Sequence, residues 1–238
     1  MPREFVFVHG MSHGAWCWEL VQARLERAGH RTLGVDLPGH GRRAHEWRRA
    51  SVGAYARAVA DAMIQAGSSR AIVVGHSMGG IVIPKVAELV PERVAHLVFL
   101  AAVVLPHGAS LLETQVPLPG RALLRGLAAA AGAIQYPAAM EHARWMGDLA
   151  PGDPLVGAAL ARLTPQPLRP WTERVDMRGF YAMRVPRTYV RCLRDAAIPP
   201  ARAAEYAARL SVRAVDLDTA HGPMLSAPDA LVEILLKC

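Results

Sequence analysis

The chain has 238 residues, 52% of them hydrophobic, which suits one large α/β domain better than two small ones. No apolar run approaches the roughly 18 to 20 residues of a membrane span, and a strand begins almost at the N-terminus. We therefore expect no membrane partner, no signal peptide and a cytoplasmic location. The net charge is +7, but the positive residues are almost all scattered arginines, which argues against a nucleic-acid partner.

The first hundred residues alternate strand and helix patterns, which is typical of a parallel sheet covered on both faces. Short apolar, β-branched stretches predict strands at residues 5–8, 31–35, 71–74 and 94–104. The stretches between them predict helices at residues 18–28, 52–66 and 80–90, and a turn-rich loop after residue 35.

The alternation stops at residues 106–185, where prolines punctuate short Ala- and Leu-rich helical pieces. A long segment of this kind predicts a helical lid inserted in a core made of residues 1–105 and 186–238. The alternation then resumes, with predicted strands at 188–193 and 213–217 and helices at 201–210 and 228–236. The predicted fold is a mostly parallel α/β sheet with helices on both faces and a helical lid.

A nucleophile motif, Gly75-His76-Ser77-Met78-Gly79, lies between a predicted strand and a predicted helix. The pattern G-x-S-x-G occurs by chance in many chains, but between strand and helix it is a nucleophile elbow. Such a tight turn needs small flanking residues, and it exposes the Ser77 hydroxyl at the top of the sheet beside a helix N-terminus. We expect the His76 side chain to point back into the sheet–helix junction, away from Ser77.

A serine needs a base, and His221 is the histidine that follows the last predicted strand. In a fold with this kind of elbow, the order along the chain is serine, then acid, then histidine. This order favours Asp195, which comes just after the strand predicted at 188–193. Asp216 and Asp218 are competitors close to His221 in sequence, and Asp218 is expected to cap or pin the histidine loop.

An oxyanion needs preorganised N–H donors. One is the backbone amide of Met78, after the nucleophile, and the second candidate is that of Met11, where Gly10 lets the loop turn inward. His9 is expected to tie this loop by hydrogen bonds.

These motifs resemble the plant methylesterase and hydroxynitrile lyase branch of the α/β-hydrolases and its bacterial esterase relatives. The resemblance covers most of the chain, is weaker in the lid, and rests on the His221 loop and on His9-Gly10-Met11-Ser12-His13-Gly14-Ala15-Trp16-Cys17-Trp18, Gly75-His76-Ser77-Met78-Gly79-Gly80 and Tyr189-Val190-Arg191-Cys192-Leu193-Arg194-Asp195. It implies an α/β-hydrolase fold, a triad of Ser77, Asp195 and His221, and esters of small acids as substrates.

The chain departs from the lyase members of that branch at two positions. Those members typically have a threonine after the first-strand histidine and a lysine after the catalytic histidine, where this chain has Gly10 and Gly222. Departing cyanide would lack its charge partner, so we expect an esterase. The alternatives are a cofactor-free lyase or eliminase that uses the same Ser/His pair, and a binding protein that keeps the fold as a receptor.

The expected substrate is a small to medium, largely apolar ester, because the lid offers bulky apolar and aromatic side chains. These are Met140, Trp145, Met146, Trp171, Phe180, Tyr181 and Met183. The residues predicted to line the substrate pocket are Gly10, His13, Trp145, Met146, Phe180 and Met224. Metal-ligand spacings, C-x-x-C pairs and nucleotide-binding motifs are missing from the sequence, so we expect no cofactor and free thiols at the cysteines. The sequence leaves the oligomeric state open, a homodimer included.

Overall fold

A six-stranded parallel sheet forms the centre of the molecule, with strand order β2-β1-β3-β4-β7-β8. The computed structural model describes residues 2–238, so residue 1 of the predicted core lies outside the described residues. The sheet strands are β1 (Glu4–Val8), β2 (Arg31–Val35), β3 (Ala71–His76), β4 (Val94–Leu100), β7 (Arg187–Cys192) and β8 (Ala214–Leu217). The short strands β5 (Ala133–Ile134) and β6 (Gln166–Pro167) pair antiparallel elsewhere.

Helices cover both faces of the sheet. In chain order they are α1 (Glu19–Arg27), α2 (Val52–Gln65), α3 (Gly79–Leu89), α4 (Leu111–Gln115), α5 (Leu118–Ala130), α6 (Ala138–Trp145), α7 (Pro154–Arg162), α8 (Arg169–Thr172), α9 (Arg178–Ala182), α10 (Pro200–Arg209), α11 (Pro223–Ser226) and α12 (Pro228–Leu235). Short 3-10 helices lie at Ala15–Trp18 and Pro91–Arg93, and Gly41–Arg49 holds two 3-10 helices joined across a kink.

The core has two halves, one on each face of the sheet. Residues of α2, α3 and α10, such as Tyr55 and Ile81, pack on one face, whereas residues of α1 and α12, such as Leu25 and Leu231, pack on the other. Every residue of β3 is buried, as a central strand of a parallel sheet requires. Because all strands of the sheet are parallel, the loops after β1, β3, β7 and β8 all emerge at its carboxyl edge. That edge is where an open α/β sheet binds its ligands.

The chain between β4 and β7 contributes helices α4–α9 and the β5–β6 pair, and no strand to the central sheet. Prolines stand at the N-termini of α5, α6, α7 and α8. Proline is tolerated there because the first turn has no intrahelical use for its missing N–H.

One sequence prediction of secondary structure is wrong in detail, and a second is refined by the structure. The strand predicted over residues 94–104 ends at Leu100, because Ala101 adopts a left-handed conformation with φ of 42° and turns the chain out of the sheet. The turn-rich loop after β2 contains the 3-10 helix Gly41–Arg49. Among the described residues, none of the helices combines the length and the hydropathy needed to cross a membrane.

Candidate active site

Ser77 occupies a strained turn between β3 and α3. Its φ is 54°, in the left-handed region that non-glycine residues rarely adopt. The helix that follows packs so closely on the neighbouring backbone that its first two residues must be glycine. A Cβ on Gly79 would lie 2.8 Å from the carbonyl oxygen of Val8, and a Cβ on Gly80 would overlap the carbonyl oxygen of Val103. The nucleophile elbow predicted from the sequence is therefore present in the backbone.

His221 and Asp195 form a buried pair at the carboxyl edge of the sheet. His221 Nδ1 lies 2.7 Å from Asp195 Oδ2, and each side chain is 1% exposed. The other carboxylate oxygen accepts the backbone N–H groups of Ala197 at 2.7 Å and Ile198 at 2.8 Å. These bonds assign the proton to Nδ1, which leaves Nε2 with its lone pair and without a partner among the described residues. An imidazole oriented in this way can act as a general base.

The competing carboxylates do not reach His221. Asp216 pairs with Arg191 at 2.7 Å, and the carboxylate of Asp218 lies 3.4 Å from Arg194 on the surface. Asp218 is 72% exposed and does not cap the histidine loop through its side chain, so that expectation is wrong.

His76 connects the serine turn to the histidine loop. Its Nε2–H donates to the backbone carbonyl of His221 at 2.9 Å, and the two rings lie 4.6 Å apart. Its ring also lies against the rings of Trp18 and His13 rather than in the junction between β3 and α3, which corrects the position predicted for it. Burial lowers the pKa of His76 well below 6.5, so the ring beside His221 is neutral.

Histidines also hold the loop after β1. His9 Nδ1–H donates to the Gly10 carbonyl at 2.8 Å while its Nε2 accepts the Leu37 amide at 3.2 Å, which is the tying role expected for it. His13 Nδ1–H donates to the Met11 carbonyl at 2.7 Å, and burial lowers the pKa of His13 to about 4. The loop that presents the Met11 amide is thus fixed from two sides.

The backbone amides of Met78 and Met11 are the oxyanion donors predicted from the sequence. Met78 precedes the first residue of α3, where backbone N–H groups have no intrahelical acceptor. Neither the Met78 nor the Met11 amide donates to an acceptor within residues 2–238. Both residues line a cavity together with Ser77.

This cavity, which we call the Ser77 cavity, has a volume of about 140 Å³. It is smaller than the roughly 300 to 1,000 Å³ of typical ligand sites, so it suits a compact group. Its lining residues are mostly apolar. They include Ile198 from the loop after β7, and Val103, Leu111, Trp145 and Trp171 from the segment between β4 and β7. Polar wall groups come from Gln115, Tyr136 and Arg144.

The structure corrects five of the six predicted pocket residues; Trp145 is the one that lines the Ser77 cavity. Phe180 is fully buried against Phe99 on the α3 side of the sheet, and Met146 and Met224 are packed in the opposite half of the core. His13 is buried beside Trp145 and holds the Met11 loop instead of facing the cavity. Gly10 lies against the Ser77 side chain, where a Cβ would come within 2.8 Å of Ser77 Cβ. Large apolar side chains gain more from close packing than from an open wall, so residue type alone misplaced them.

Sequence reasoning missed Asp148, which follows α6. Its carboxylate accepts the backbone N–H of Ala220, next to His221, and the hydroxyl of Ser226 at 3.2 Å. It also pairs with Arg194 at 3.0 Å. Nothing in the local sequence distinguishes Asp148 from a surface aspartate, because its partners lie in distant segments of the chain.

Comparison with known proteins agrees with this architecture. Residues 5–234 match the model of the alpha/beta hydrolase family. "Probable esterase PIR7A" of Oryza sativa subsp. indica is 45% identical over 42% of this chain and 39% of its own length. "Methylesterase 7" of Arabidopsis thaliana is 40% identical over 42% of this chain and 40% of its own length. An extracellular alpha/beta-hydrolase from a Paenibacillus species superposes with a TM-score of 0.87, at 24% identity, over 99% of this chain and 98% of that one.

The chain therefore belongs to the alpha/beta hydrolase family. The resemblance to plant methylesterases and esterases seen in the motifs is confirmed by these relatives. The similarity to the two curated relatives spans about two fifths of their length, and the Paenibacillus structure, at its low identity, shows the shared fold.

Proposed function

We propose that this protein is a serine hydrolase that cleaves the carboxylic ester of a small, largely apolar molecule. The observation that carries the proposal is the buried Asp195–His221 pair. The free Nε2 of His221 lies at the same edge of the sheet as the strained turn at Ser77. The esterase names of the relatives support the same activity.

In the first half of the reaction, His221 Nε2 takes the proton of the Ser77 hydroxyl while Oγ bonds to the ester carbonyl carbon. Asp195 keeps the imidazole in the required tautomer and stabilises its positive charge. The carbonyl oxygen becomes an oxyanion and is stabilised by the Met11 and Met78 amides. The C–O bond to the alcohol then breaks, and the alkoxide leaves with the proton from His221, which gives an acyl-enzyme on Ser77.

In the second half, water attacks the acyl carbon as His221 Nε2 takes one of its protons. The tetrahedral intermediate collapses, the bond to Ser77 Oγ breaks, and His221 returns the proton to the serine. The products are one acid and one alcohol. The electrons and protons balance without an added redox group or cofactor.

The packing around two glycines disfavours the lyase alternative. A Cβ on Gly222 would lie 2.5 Å from the carbonyl oxygen of Trp145, and Gly10 is packed on Ser77. These are the positions at which lyase members typically have lysine and threonine, and neither has room for a side chain here. Hydrolysis needs neither group.

The helices between β4 and β7 would act as the lid, because Trp145 and Trp171 from this segment cover the Ser77 cavity. The lid would exclude bulk water and limit substrate size. The cytoplasmic location and the oligomeric state stay predictions.

The test combines covalent labelling with product analysis. A fluorophosphonate probe is expected to modify Ser77, as mapped by peptide mass spectrometry, and a panel of small esters is expected to give acid and alcohol in equal amounts. Ser77→Ala should abolish labelling and lower kcat by about 10⁴-fold or more. Ser211→Ala is the matched control, because Ser211 also has a positive φ, of 58°, but lies exposed after α10. Product release without labelling at Ser77 would favour the eliminase, and tight binding without turnover would favour a receptor.

A further inference from the structure

Arg144 and Trp171 are both residues that line the Ser77 cavity. Arg144 Nε and Trp171 Nε1 are both buried atoms, and neither finds an acceptor among the described residues. Buried donors of this kind are rare in folded proteins and each requires an explanation. Of the described residues that line the cavity, Arg144 is the one with a charged side chain.

The positive charge of Arg144 has no carboxylate counter-ion among the described residues. Several other arginines of this chain pair with carboxylates, as Arg162 does with Glu19 at 2.6 Å and Arg24 with Asp229 at 2.6 Å. Arg144 makes no such ion pair with a residue in the described part of the chain, and its recorded contact is with the Tyr136 ring, 5.8 Å from the guanidinium.

The nearest acidic residue on the same helix does not act as a counter-ion to Arg144 either. Glu141, one turn earlier on α6, is 2% exposed, and its Oε1 has no partner within residues 2–238. Burial raises the pKa of Glu141, which favours its neutral form. A position near the end of α6 is favourable for a cation, but this leaves Arg144 Nε without an acceptor.

We propose that the Ser77 cavity selects esters that carry a carboxylate at the end remote from the scissile bond, with the Arg144 guanidinium as its counter-ion. This inference rests on the proposed esterase function and narrows its substrate class to molecules that are apolar around the scissile ester and anionic at the far end. These are monoesters of small dicarboxylic acids, or their counterparts with the carboxylate in the alcohol half. A guanidinium suits such a group because its donors match the geometry of a carboxylate. The net charge of +7 favours the approach of an anionic molecule.

The test compares matched esters that differ only in the remote group. Monomethyl glutarate and methyl pentanoate place the carboxylate or the methyl group in the acyl half. The pair 4-acetoxybenzoate and 4-methylphenyl acetate places it in the alcohol half. We expect kcat/KM of the wild-type enzyme to favour the anionic member of at least one pair by about 10- to 100-fold, as for a charge-assisted hydrogen bond.

Substitutions assign the preference to Arg144. Arg144→Met should bring the ratio of the two kcat/KM values close to one, and Arg144→Lys should restore part of it. Arg125→Met is the matched control, because Arg125 is an exposed arginine of α5 that does not line the cavity. Equal rates for both members of each pair, or a preference that survives Arg144→Met, would overturn the proposal.

A second readout needs no turnover and so separates this proposal from the esterase function. In a Ser77→Ala background, quenching of tryptophan fluorescence measures binding of monomethyl glutarate and methyl pentanoate. Tighter binding of the anion that is lost with Arg144→Met supports the carboxylate site even if no ester is hydrolysed. Hydrolysis of neutral esters together with weaker binding of the anion would keep the esterase and reject the carboxylate site.

Discussion

The carboxylate of Asp148 accepts the backbone N–H of Ala220, the residue that precedes His221. Asp148 belongs to the segment between β4 and β7, whereas Ala220 belongs to the loop after β8. The proposed lid is thereby bonded to the loop that carries the proposed base. The salt bridge from Arg194 to the other oxygen of Asp148, at 3.0 Å, fixes the carboxylate in this position.

Removing this carboxylate should disturb catalysis through the position of His221. For Asp148→Ala we expect kcat to fall about 10-fold or more with a smaller change in KM, because small displacements of a catalytic group cost much of the rate. Asp148→Asn retains an acceptor for the Ala220 amide and should recover most of the loss. Asp153→Ala, which removes the N-cap of α7 in the same segment, serves as control. Equal kcat values for Asp148→Ala and Asp153→Ala would show that the bond does not position the base.

Buried neutral histidines make the protein sensitive to acid. Burial lowers the pKa of His13 from 6.5 to about 4, and it lowers that of His9 and His76 well below 6.5. The unfolded chain therefore binds more protons below pH 6.5 than the folded chain does, so the free energy of unfolding falls as the pH drops from 6.5 towards 4. Each such histidine contributes a slope of up to about 1.4 kcal/mol per pH unit.

Urea denaturation at several pH values measures this slope. His13→Asn should make it shallower, whereas substitution of the exposed His45 should not. An unchanged slope in the His13 variant would mean that this histidine is already charged in the folded protein.

Phe180 and Trp145 should respond differently to substitution. Phe180→Ala leaves a cavity against Phe99 and should lower the free energy of unfolding by about 3–5 kcal/mol, with the KM for esters close to that of the wild type. Trp145→Phe changes a wall of the Ser77 cavity and should shift KM severalfold with a smaller loss of stability. Chemical denaturation and ester kinetics on both variants test the correction made for Phe180, and a larger KM change for Phe180→Ala would reverse it.

Two glycine substitutions should have opposite effects. Gly80→Ala pushes a methyl group into the Val103 backbone carbonyl at the serine turn, and we expect a loss of about 3 kcal/mol or more, or failure to fold. Gly126→Ala, in α5, meets no atom within 4 Å and should raise stability by up to about 1 kcal/mol. Melting temperatures of the two variants are the measurement, and a stable Gly80→Ala protein would contradict the close packing of the turn.

The sequence predicted the order of the central strands and helices along the chain, because their patterns are local. The stretch at residues 71–74, for example, is apolar on both faces, as a buried strand of a parallel sheet must be. The same local rules marked Ser77, since the turn between a strand and a helix requires small neighbours at fixed positions. Asp195 and His221 followed from their places after predicted strands, since parallel strands end at one edge.

The tertiary structure alone decided what surrounds these residues. Whether Phe180 or Trp145 lines the Ser77 cavity depends on which face of its helix packs on the sheet. In the sequence, both are simply large aromatic residues of the predicted lid. Two hydrogen bonds depend on contacts between distant segments: the bond from His76 to the His221 carbonyl and the bond between Ala220 and Asp148. The unpaired Nε of Arg144 reflects the lack of such a contact among the described residues. The chain's local patterns determined the proposed catalytic residues, whereas long-range packing decided how they are held and which side chains line the Ser77 cavity.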